Sequence, residues 1–350
     1  MAVASRYING SRVVKNQLKR VASLFISVSI GFGVLPAVAE DGYELWLRYE
    51  QLETRPDDAP RHVMAACAEP SETLQAALAE IDRATESLLG NSLQSTDRLR
   101  SRTLVLASAD CADAIDETDL PTTETVGAEG FTLRATKRNG KRVTLIAAQS
   151  DVGVLYGTFD YLQRMSRGEA LSDLDVISRP KTKLRLLNHW DNLDRHVERG
   201  YAGQSIWDWH RLPDYLDPKY TDYARANASI GINGVSLTNV NADATVLTAP
   251  YLEKVAALAD IFRPYGIKVY LTARFSAPME LGGLDTADPR AAEVQAWWQA
   301  KVDEIYTHVP DFGGFLVKAN SEGQPGPQDY ERNHAEGANM LATALAPHEG

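Results

Sequence analysis

Cysteine is scarce in this sequence of 350 residues, which has only Cys67 and Cys111. Neither has a histidine or another cysteine at the spacing of zinc ligands, so a zinc site is not expected at either. In an oxidising compartment the two could form a single disulfide, and two buried free thiols are the alternative.

Basic residues are in the minority, with 36 Lys and Arg against 47 Asp and Glu and a net charge of −11. Residues 1–39 contain five basic and no acidic residues, so residues 40–350 carry a charge of −16. Such an acidic body repels phosphate backbones, and no nucleic-acid partner is expected. It also repels anionic sugars at long range, so a site for one needs cations placed locally.

Long apolar runs are absent apart from residues 21–39. This run follows Lys19 and Arg20 and ends in Ala37-Val-Ala39, the small-x-small pattern of a secretory signal peptide. We therefore expect export to the periplasm or the extracellular space, with a mature chain starting at Glu40 and no membrane association after cleavage. A retained anchor is the alternative, but three serines, two glycines and Pro36 weaken a spanning helix.

Residues 40–180 mix strand and helix patterns. Residues 102–107 form an apolar run typical of a buried strand, and residues 130–135 and 142–147 flank Arg138-Asn-Gly140, a strong hairpin signal. Leucines and alanines recur at helical spacing over 71–89 and 152–165. This part predicts a compact α+β domain, and no catalytic side chains gather in it.

Residues 181–350 alternate strictly between strand and helix. Strands are predicted at 184–188, 234–238, 267–271 and 312–317, with helices at 220–229 and 251–263 and a long one that Pro289 opens. Four such repeats predict a parallel sheet, either open and doubly wound or closed into a barrel. No Gly-x-Gly-x-x-Gly follows a strand, which argues against dinucleotide binding.

In barrels, the loops after the strands build the active site. The first strand exit holds Trp190, whose flat face would suit a sugar ring, although a tryptophan of the core or rim is the alternative. His189, Asp191, Asp194 and His196 in the same loop are metal-ligand types, but hydrogen-bonded loop residues explain them as well and no metal is expected. The second exit offers asparagines and the third Arg274 and Phe275, both weak signals.

The fourth exit is the most informative. Glu322 follows a buried strand and is flanked by glycines and prolines, so it could be rigid and open to a cleft. A carboxylic acid there could protonate a glycosidic oxygen, and Lys318 could meet a substrate carboxylate. A capping glutamate and a solvated lysine are the alternative.

Long motifs in this region resemble those of the glycoside hydrolase family 67 α-glucuronidases. The segment around Glu322 reads Gly313-Gly-Phe-Leu-Val-Lys-Ala-Asn-Ser-Glu-Gly-Gln-Pro-Gly-Pro327. Further resembling stretches are Leu187-Asn-His-Trp-Asp-Asn-Leu-Asp194, Glu198-Arg-Gly-Tyr-Ala-Gly203, Ser205-Ile-Trp-Asp-Trp209, Gly282-Gly-Leu-Asp-Thr-Ala-Asp-Pro289, Trp297-Trp298 and His334-Ala-Glu-Gly-Ala-Asn-Met-Leu341. The resemblance spans residues 42–350 and is densest from Leu187 onward.

The resemblance implies an N-terminal α+β domain followed by a (β/α)8 TIM barrel. It also implies inverting hydrolysis, without a cofactor, that releases 4-O-methyl-D-glucuronic acid from glucuronoxylan-derived oligosaccharides. By position, Glu322 matches the general acid, Lys318 a ligand of the uronate carboxylate, and Trp190 and Val240 apolar walls around the sugar. The resemblance also suggests a homodimer of the full-length protein.

One departure from the family concerns the second carboxylate. An inverting enzyme needs it about 6.5–9.5 Å from the acid. The carboxylates that the family uses as base lie downstream of the segment printed here, which holds about four of eight repeats. We therefore expect a truncated barrel that folds poorly alone, or a fragment of a longer protein.

Two other functions compete with this one. A non-catalytic carbohydrate-binding remnant would share Trp190, Val240 and Lys318 but lack the base, and sequencing the gene beyond codon 350 separates the two. A barrel glycosidase for neutral sugars would leave Lys318 unexplained, and activity on uncharged aryl glycosides would favour it.

Overall fold

The computed structural model describes residues 40–241, 243–321 and 323–348. The chain divides into two units, Met1–Tyr43 and Glu44–Gly350. In the first, the described residues 40–43 form a turn in which the Tyr43 N–H donates to Asp41 Oδ1 at 2.9 Å. The predicted signal peptide, residues 1–39, lies outside the described residues. Within the described ranges, no helix is long and apolar enough to cross a membrane.

The second unit begins with a mixed sheet of order β2-β1-β3-β5-β4-β6. Its strands are β1 His62–Ala65, β2 Gln94–Ser95, β3 Thr103–Ala107, β4 Phe131–Arg138, β5 Lys141–Ala148 and β6 Asp175–Ser178. Neighbours from β2 to β5 are parallel, and β4 runs antiparallel to both β5 and β6. Helices α1 Glu72–Leu89 and α3 Asp151–Ser166 share a core with this sheet, and α2 Thr123–Val126 is a single turn.

These elements follow from local sequence. All five residues of β3 are buried, and the strand pairs with a neighbour on each side, so it is an interior strand and reads as one apolar run. The predicted hairpin is confirmed, with Asn139 and Gly140 both at positive φ in the turn. The predicted first helix is also confirmed. Ser71 caps its start by accepting a hydrogen bond from the Leu74 N–H, and Gly90 ends it in a left-handed conformation.

The second sheet is parallel throughout, with strand order β10-β9-β8-β7. Its strands are β7 Leu186–Asn188, β8 Gly234–Ser236, β9 Lys268–Arg274 and β10 Gly314–Lys318. The helices around it are α4 Lys219–Ala228, α5 Ala249–Phe262, α6 Ala277–Glu280, α7 Ala292–His308 and α8 His334–Leu345. They share a second hydrophobic core with the sheet, which confirms the predicted alternation of strand and helix.

Some element boundaries differ from those predicted. The long helix α7 begins at Ala292, so Pro289 does not lie in its first turn as predicted. The reason is a turn at Asp288, whose carboxylate accepts from the Arg290 N–H at 3.0 Å and whose carbonyl accepts from the Ala291 N–H at 2.9 Å. β9 is longer than predicted and reaches Arg274, because β10 pairs with it up to that residue.

A buried ion pair joins helix α1, which packs on the first sheet, to helix α4, which packs on the second. Glu80 of α1 is 2% exposed and accepts from Arg225 of α4, with Nε–Oε2 at 2.8 Å and Nη2–Oε1 at 2.9 Å. The Tyr49 hydroxyl donates to the same carboxylate at 2.6 Å. Burial disfavours the charge of Arg225, but hydrogen bonds and charge from Glu80 raise its pKa. The pair therefore fixes α1 against α4 in its ionised form.

The cysteines are joined by a disulfide between Cys67 and Cys111, with their Cα atoms 4.8 Å apart. Of the two alternatives left by the sequence, the structure has the bridge. It links the segment after β1 to the segment after β3, which are neighbouring parallel strands.

Candidate active site

The carboxyl ends of four parallel strands meet at one edge of the second sheet. β7 ends at Asn188, β8 at Ser236, β9 at Arg274 and β10 at Lys318. Of the predicted site residues, Lys318 ends β10, and Trp190 and Val240 lie in the loops after β7 and β8. This edge is where ligands bind in parallel sheets, because the loops there vary without disturbing the strands.

Lys318 is the last residue of β10 and is half-buried. Its register partner is Arg274, the last residue of β9. The Arg274 Nε donates to Glu280 Oε1 at 2.6 Å, so this guanidinium is held by an acid of its own loop. Two cations therefore end adjacent strands, in a chain whose net charge is strongly negative.

Trp190 and Val240 lie in loops that are hydrogen-bonded to each other. The Asn239 N–H, in the loop after β8, donates to the carbonyl of Asp191 in the loop after β7 at 2.7 Å. Trp190 precedes Asp191 and Val240 follows Asn239, so this bond brings the two apolar residues to the same part of the edge. The Trp190 side chain is 45% exposed, and Val240 is half-buried.

The second loop is also hydrogen-bonded to β9. The Thr272 hydroxyl on β9 donates to the Asn239 carbonyl at 2.9 Å. The Thr238 hydroxyl donates in turn to the Thr272 hydroxyl at 3.1 Å. Asn239 is 3% exposed and Thr272 is 1% exposed. The backbone beside Val240 is therefore held rigidly by buried hydrogen bonds.

Glu198 is a carboxylate at this edge that the sequence analysis did not select. Its N–H donates to the Trp190 carbonyl at 2.8 Å, and its Oε2 lies 3.4 Å from Asn239 Nδ2. The side chain is 11% exposed, and the backbone is left-handed at φ 54°. A half-buried carboxylate in a loop that is bonded to the Trp190 backbone can accept hydrogen bonds from sugar hydroxyls. Its place in the resembling segment 198–203 was the available signal.

The loop after β10 is braced around position 322. Asn320 Nδ2 donates to Asp329 Oδ2 at 3.1 Å, and the same oxygen accepts from the Gly326 N–H at 2.8 Å. Asn320 Oδ1 in turn accepts from the Gln328 N–H at 3.0 Å. A Cβ on Gly326 would lie 2.6 Å from the Asn320 nitrogen, so the brace requires glycine there. Glu322 itself lies outside the described residues, and its role as general acid stays a prediction.

The histidine of the first loop has structural partners. His189 Nε2 is 2.7 Å from the Tyr223 hydroxyl, and its Nδ1 is 3.5 Å from Asp191. Its ring packs edge-on against Trp207. Burial, followed by the charge of Asp191, raises the pKa of Tyr223. Across the ranges that the structure describes, no three His, Cys, Asp or Glu side chains are grouped as a metal site requires.

Comparison with known proteins identifies long relatives. The chain is 40% identical over 326 residues to Alpha-glucuronidase A of Emericella nidulans, which covers 90% of this chain and 38% of that protein. It is 40% identical over 321 residues to Probable alpha-glucuronidase A of Aspergillus oryzae, covering 89% and 37% respectively. The chain thus spans little more than a third of the length of these relatives.

Among solved structures, the chain resembles a family GH115 4-O-methyl-alpha-glucuronidase with specificity for decorated arabinogalactans. The TM-score is 0.51 at 11% identity, covering 83% of this chain and 40% of that one. A GH138 enzyme targeting pectin rhamnogalacturonan II gives a TM-score of 0.51 at 15% identity, covering 82% and 37%. At such identities the likeness concerns the fold alone, a mixed α/β fold with a parallel sheet.

Two family models match almost the whole of the described chain. The model of the glycosyl hydrolase family 67 N-terminus matches residues 45–161, and that of the family 67 middle domain matches residues 164–350, more than half of the sequence. By these matches, and by the relatives above, the chain belongs to glycosyl hydrolase family 67.

Proposed function

We propose that this protein is an α-glucuronidase that releases (4-O-methyl)-D-glucuronic acid from xylo-oligosaccharides with inversion. The observation that carries the proposal is the match of residues 164–350 to the family 67 middle domain. The name of the Emericella nidulans relative supplies the activity. The chain covers 38% of that relative, and the residues at the strand exits of the second sheet carry the proposed chemistry.

We also propose that the second sheet is half of a (β/α)8 barrel. In the described part of the chain, each of its strands lies beside the next one along the chain. A doubly wound sheet reverses its strand order at a switch point, whereas a barrel adds strands in sequence. The sequential order of β7 to β10 supports the barrel.

In the proposed complex, Lys318 binds the carboxylate of the uronic acid. Its position supports this role, because a half-buried ammonium at a strand end attracts an anion more strongly than an ammonium fully in water. Trp190 and Val240 contact the apolar faces of the ring, and Glu198 accepts hydrogen bonds from its hydroxyls. A cation, apolar side chains and hydrogen-bonding groups together suit a sugar with one charged and several neutral polar groups.

The bond-breaking step needs two carboxyl groups. Glu322, as a carboxylic acid, gives its proton to the glycosidic oxygen while the C1–O bond breaks and the bonding electrons move to that oxygen. Water, deprotonated by a second carboxylate, attacks C1 from the opposite face. Asp329 and Glu336 are poor candidates for this base, because Asp329 braces the loop and Glu336 caps α8 and pairs with Arg290. The resemblance instead assigns the base to the part of the fold that follows in the longer relatives.

The test uses the complete gene product with aldouronic oligosaccharides as substrate. We expect Glu322→Gln to lower kcat about 10²- to 10⁴-fold without loss of product binding. Lys318→Met should raise KM for these substrates, whereas Lys268→Met, which removes an exposed lysine of β9, should not. The sugar released first should be the β-anomer by NMR. Retained turnover by Glu322→Gln, or release of the α-anomer, refutes the mechanism.

We further propose that the protein is exported. The disulfide between Cys67 and Cys111 supports an oxidising compartment. Amino-terminal sequencing of protein recovered from the periplasm or medium should start at Glu40, and recovery with residues 1–39 attached to membranes would contradict cleavage.

A further inference from the structure

A cavity of about 200 Å³ lies at the hairpin end of the first sheet, in the part of the chain that the proposed mechanism does not use. Three cations line it, namely Arg102, Lys137 and Arg142. Ala135, Leu171 and Thr144 form part of its wall. Cations, hydroxyls and apolar atoms around one small cavity are a combination that suits a charged sugar.

Arg102 is fixed in place before any ligand arrives. Its backbone is left-handed at φ 67°, which is uncommon for arginine, and neighbouring segments of the backbone hold it there. Its N–H donates to the Arg142 carbonyl at 2.6 Å, and its carbonyl accepts from the Arg61 N–H at 2.8 Å. The guanidinium donates through Nε and Nη2 to the Ala59 carbonyl at 2.9 and 2.6 Å. A guanidinium held in this way loses little entropy on binding an anion.

The charge around Arg102 is unbalanced. Burial lowers the pKa of Arg102 first, and the positive charges of Arg61, Arg55 and Arg142 lower it further. Asp57 opposes this effect. The carboxylate of Asp58, on the cavity wall, accepts a hydrogen bond from the Leu171 N–H at 2.7 Å and so holds the backbone at Leu171. Positive charge is thus concentrated locally in a body that is acidic overall.

The neighbouring cavity shows the opposite balance. It measures about 410 Å³, shares Lys137 with the first, and is lined by Asp113, Asp116 and Asp119. Arg138 forms ion pairs with Asp116 and Asp119. The excess of cations is therefore a property of the smaller cavity that the larger one does not share.

We propose that the cavity lined by Arg102, Lys137 and Arg142 binds a carboxylate-bearing sugar unit of the polysaccharide, at a site separate from the strand exits of the second sheet. The choice of a uronate rests on the proposed function, whereas the choice of an anion rests on the cations alone. Such a site would hold a uronate-bearing chain on the protein and raise the local concentration of the groups to be removed.

Titration calorimetry with the complete gene product, made inactive by Glu322→Gln so that the probe is not hydrolysed, tests the proposal. The probes are an aldouronic acid, a neutral xylo-oligosaccharide of equal length and inorganic phosphate. The cavity variant is Lys137→Gln/Arg142→Gln, because both side chains are exposed and their replacement spares the core. Lys318→Met removes the proposed uronate ligand at the strand exits, and Lys268→Gln is the matched control for loss of one exposed cation.

We expect aldouronic acid to bind to Lys318→Met, and the cavity double substitution in that background to weaken this binding at least about tenfold. The affinity should fall as salt is added. Lys268→Gln should bind as the parent does.

Three outcomes overturn the inference. In the first, aldouronic acid binding is abolished by Lys318→Met and unaffected by the cavity substitutions. In the second, the neutral oligosaccharide binds the cavity as tightly as the acid, and in the third, phosphate does so. Failure of the proposed function is a different result, namely no hydrolysis by the complete gene product while cavity binding persists.

Discussion

Asn320 and Asp329 are joined across the loop after the last described strand of the second sheet, with Asn320 Nδ2 donating to Asp329 Oδ2 at 3.1 Å. The same carboxylate oxygen binds the Gly326 N–H, and Asn320 Oδ1 binds the Gln328 N–H. Two side chains thus fix the loop on both sides of position 322. In the proposed mechanism the proton donor Glu322 belongs to this loop, so the brace matters for catalysis.

Replacing Asp329 should therefore impair catalysis through the loop. We expect Asp329→Ala to lower kcat on aldouronic oligosaccharides about 10- to 100-fold, because small displacements of an acid are costly, with KM changed little. Glu331→Ala, which removes a carboxylate two residues further along, is the matched control. Steady-state kinetics of the complete gene product measures both. Equal effects of the two substitutions would mean that Asp329 acts only through its charge.

Glu198 should contribute to sugar binding. Glu198→Gln keeps its size but replaces a charged hydrogen-bond acceptor with a neutral one, so we expect glucuronic acid to bind about tenfold more weakly. Calorimetry with the free sugar measures the effect, and thermal unfolding checks that the fold is retained. If affinity is unchanged while the melting temperature falls, Glu198 only stabilises its left-handed turn.

The Glu80–Arg225 pair should be a major contributor to stability. Removing one partner leaves a buried charge, so Arg225→Met should cost about 3–5 kcal/mol of the free energy of unfolding. Adding Glu80→Gln should recover part of that loss, since the two residues share one network. Urea unfolding of the single and double variants gives the coupling energy. Strictly additive costs would show that the pair is not coupled.

The disulfide should stabilise the first sheet. Closing a loop with a sequence separation of 44 between Cys67 and Cys111 is worth about 2–4 kcal/mol. Reducing agent should lower the melting temperature of the parent protein but not that of Cys67→Ala/Cys111→Ala. Two thiols titratable in the native, unreduced protein would contradict the bridge.

Asp288 should make stability depend on pH at the acid end. Hydrogen bonds from Arg332, at 2.8 and 3.0 Å, lower its pKa in the folded protein, with a further contribution from the Arg290 N–H. Because the pKa of Asp288 is lower in the folded than in the unfolded protein, where it is about 4, its ionised carboxylate stabilises the folded state above about pH 4. That contribution is lost as pH falls through the folded value.

Asp288→Asn should therefore be less stable than the parent protein near neutral pH, and the difference should shrink below about pH 4. Chemical unfolding at a series of pH values measures it. Asp285→Asn, on an exposed residue of the same loop, should show no such trend. A difference that stays constant down to acid pH would exclude Asp288 as the titrating group.

The sequence alone determined the alternation of elements, because that depends on local patterns. Apolar runs marked β3 and β8 to β10, Asn139-Gly140 marked the hairpin, and leucines and alanines at helical spacing marked α1. The strand exits pointed to Lys318 and Trp190, and family resemblance added Val240. All three lie in or just after strands at one sheet edge. The short strands β1, β2 and β6 were not predicted, because a pattern of two to four residues shows little periodicity.

Only the tertiary structure decided which distant residues meet. The pairing of Cys67 with Cys111, the contact of Glu80 with Arg225 and the position of Glu198 beside Asn239 each join residues far apart in sequence. The start of α7 beyond Pro289 depended likewise on a turn at Asp288, which Arg332 holds from the neighbouring loop. Local propensity cannot specify such contacts, because their energy comes from burial and charge that exist only once the layers have packed.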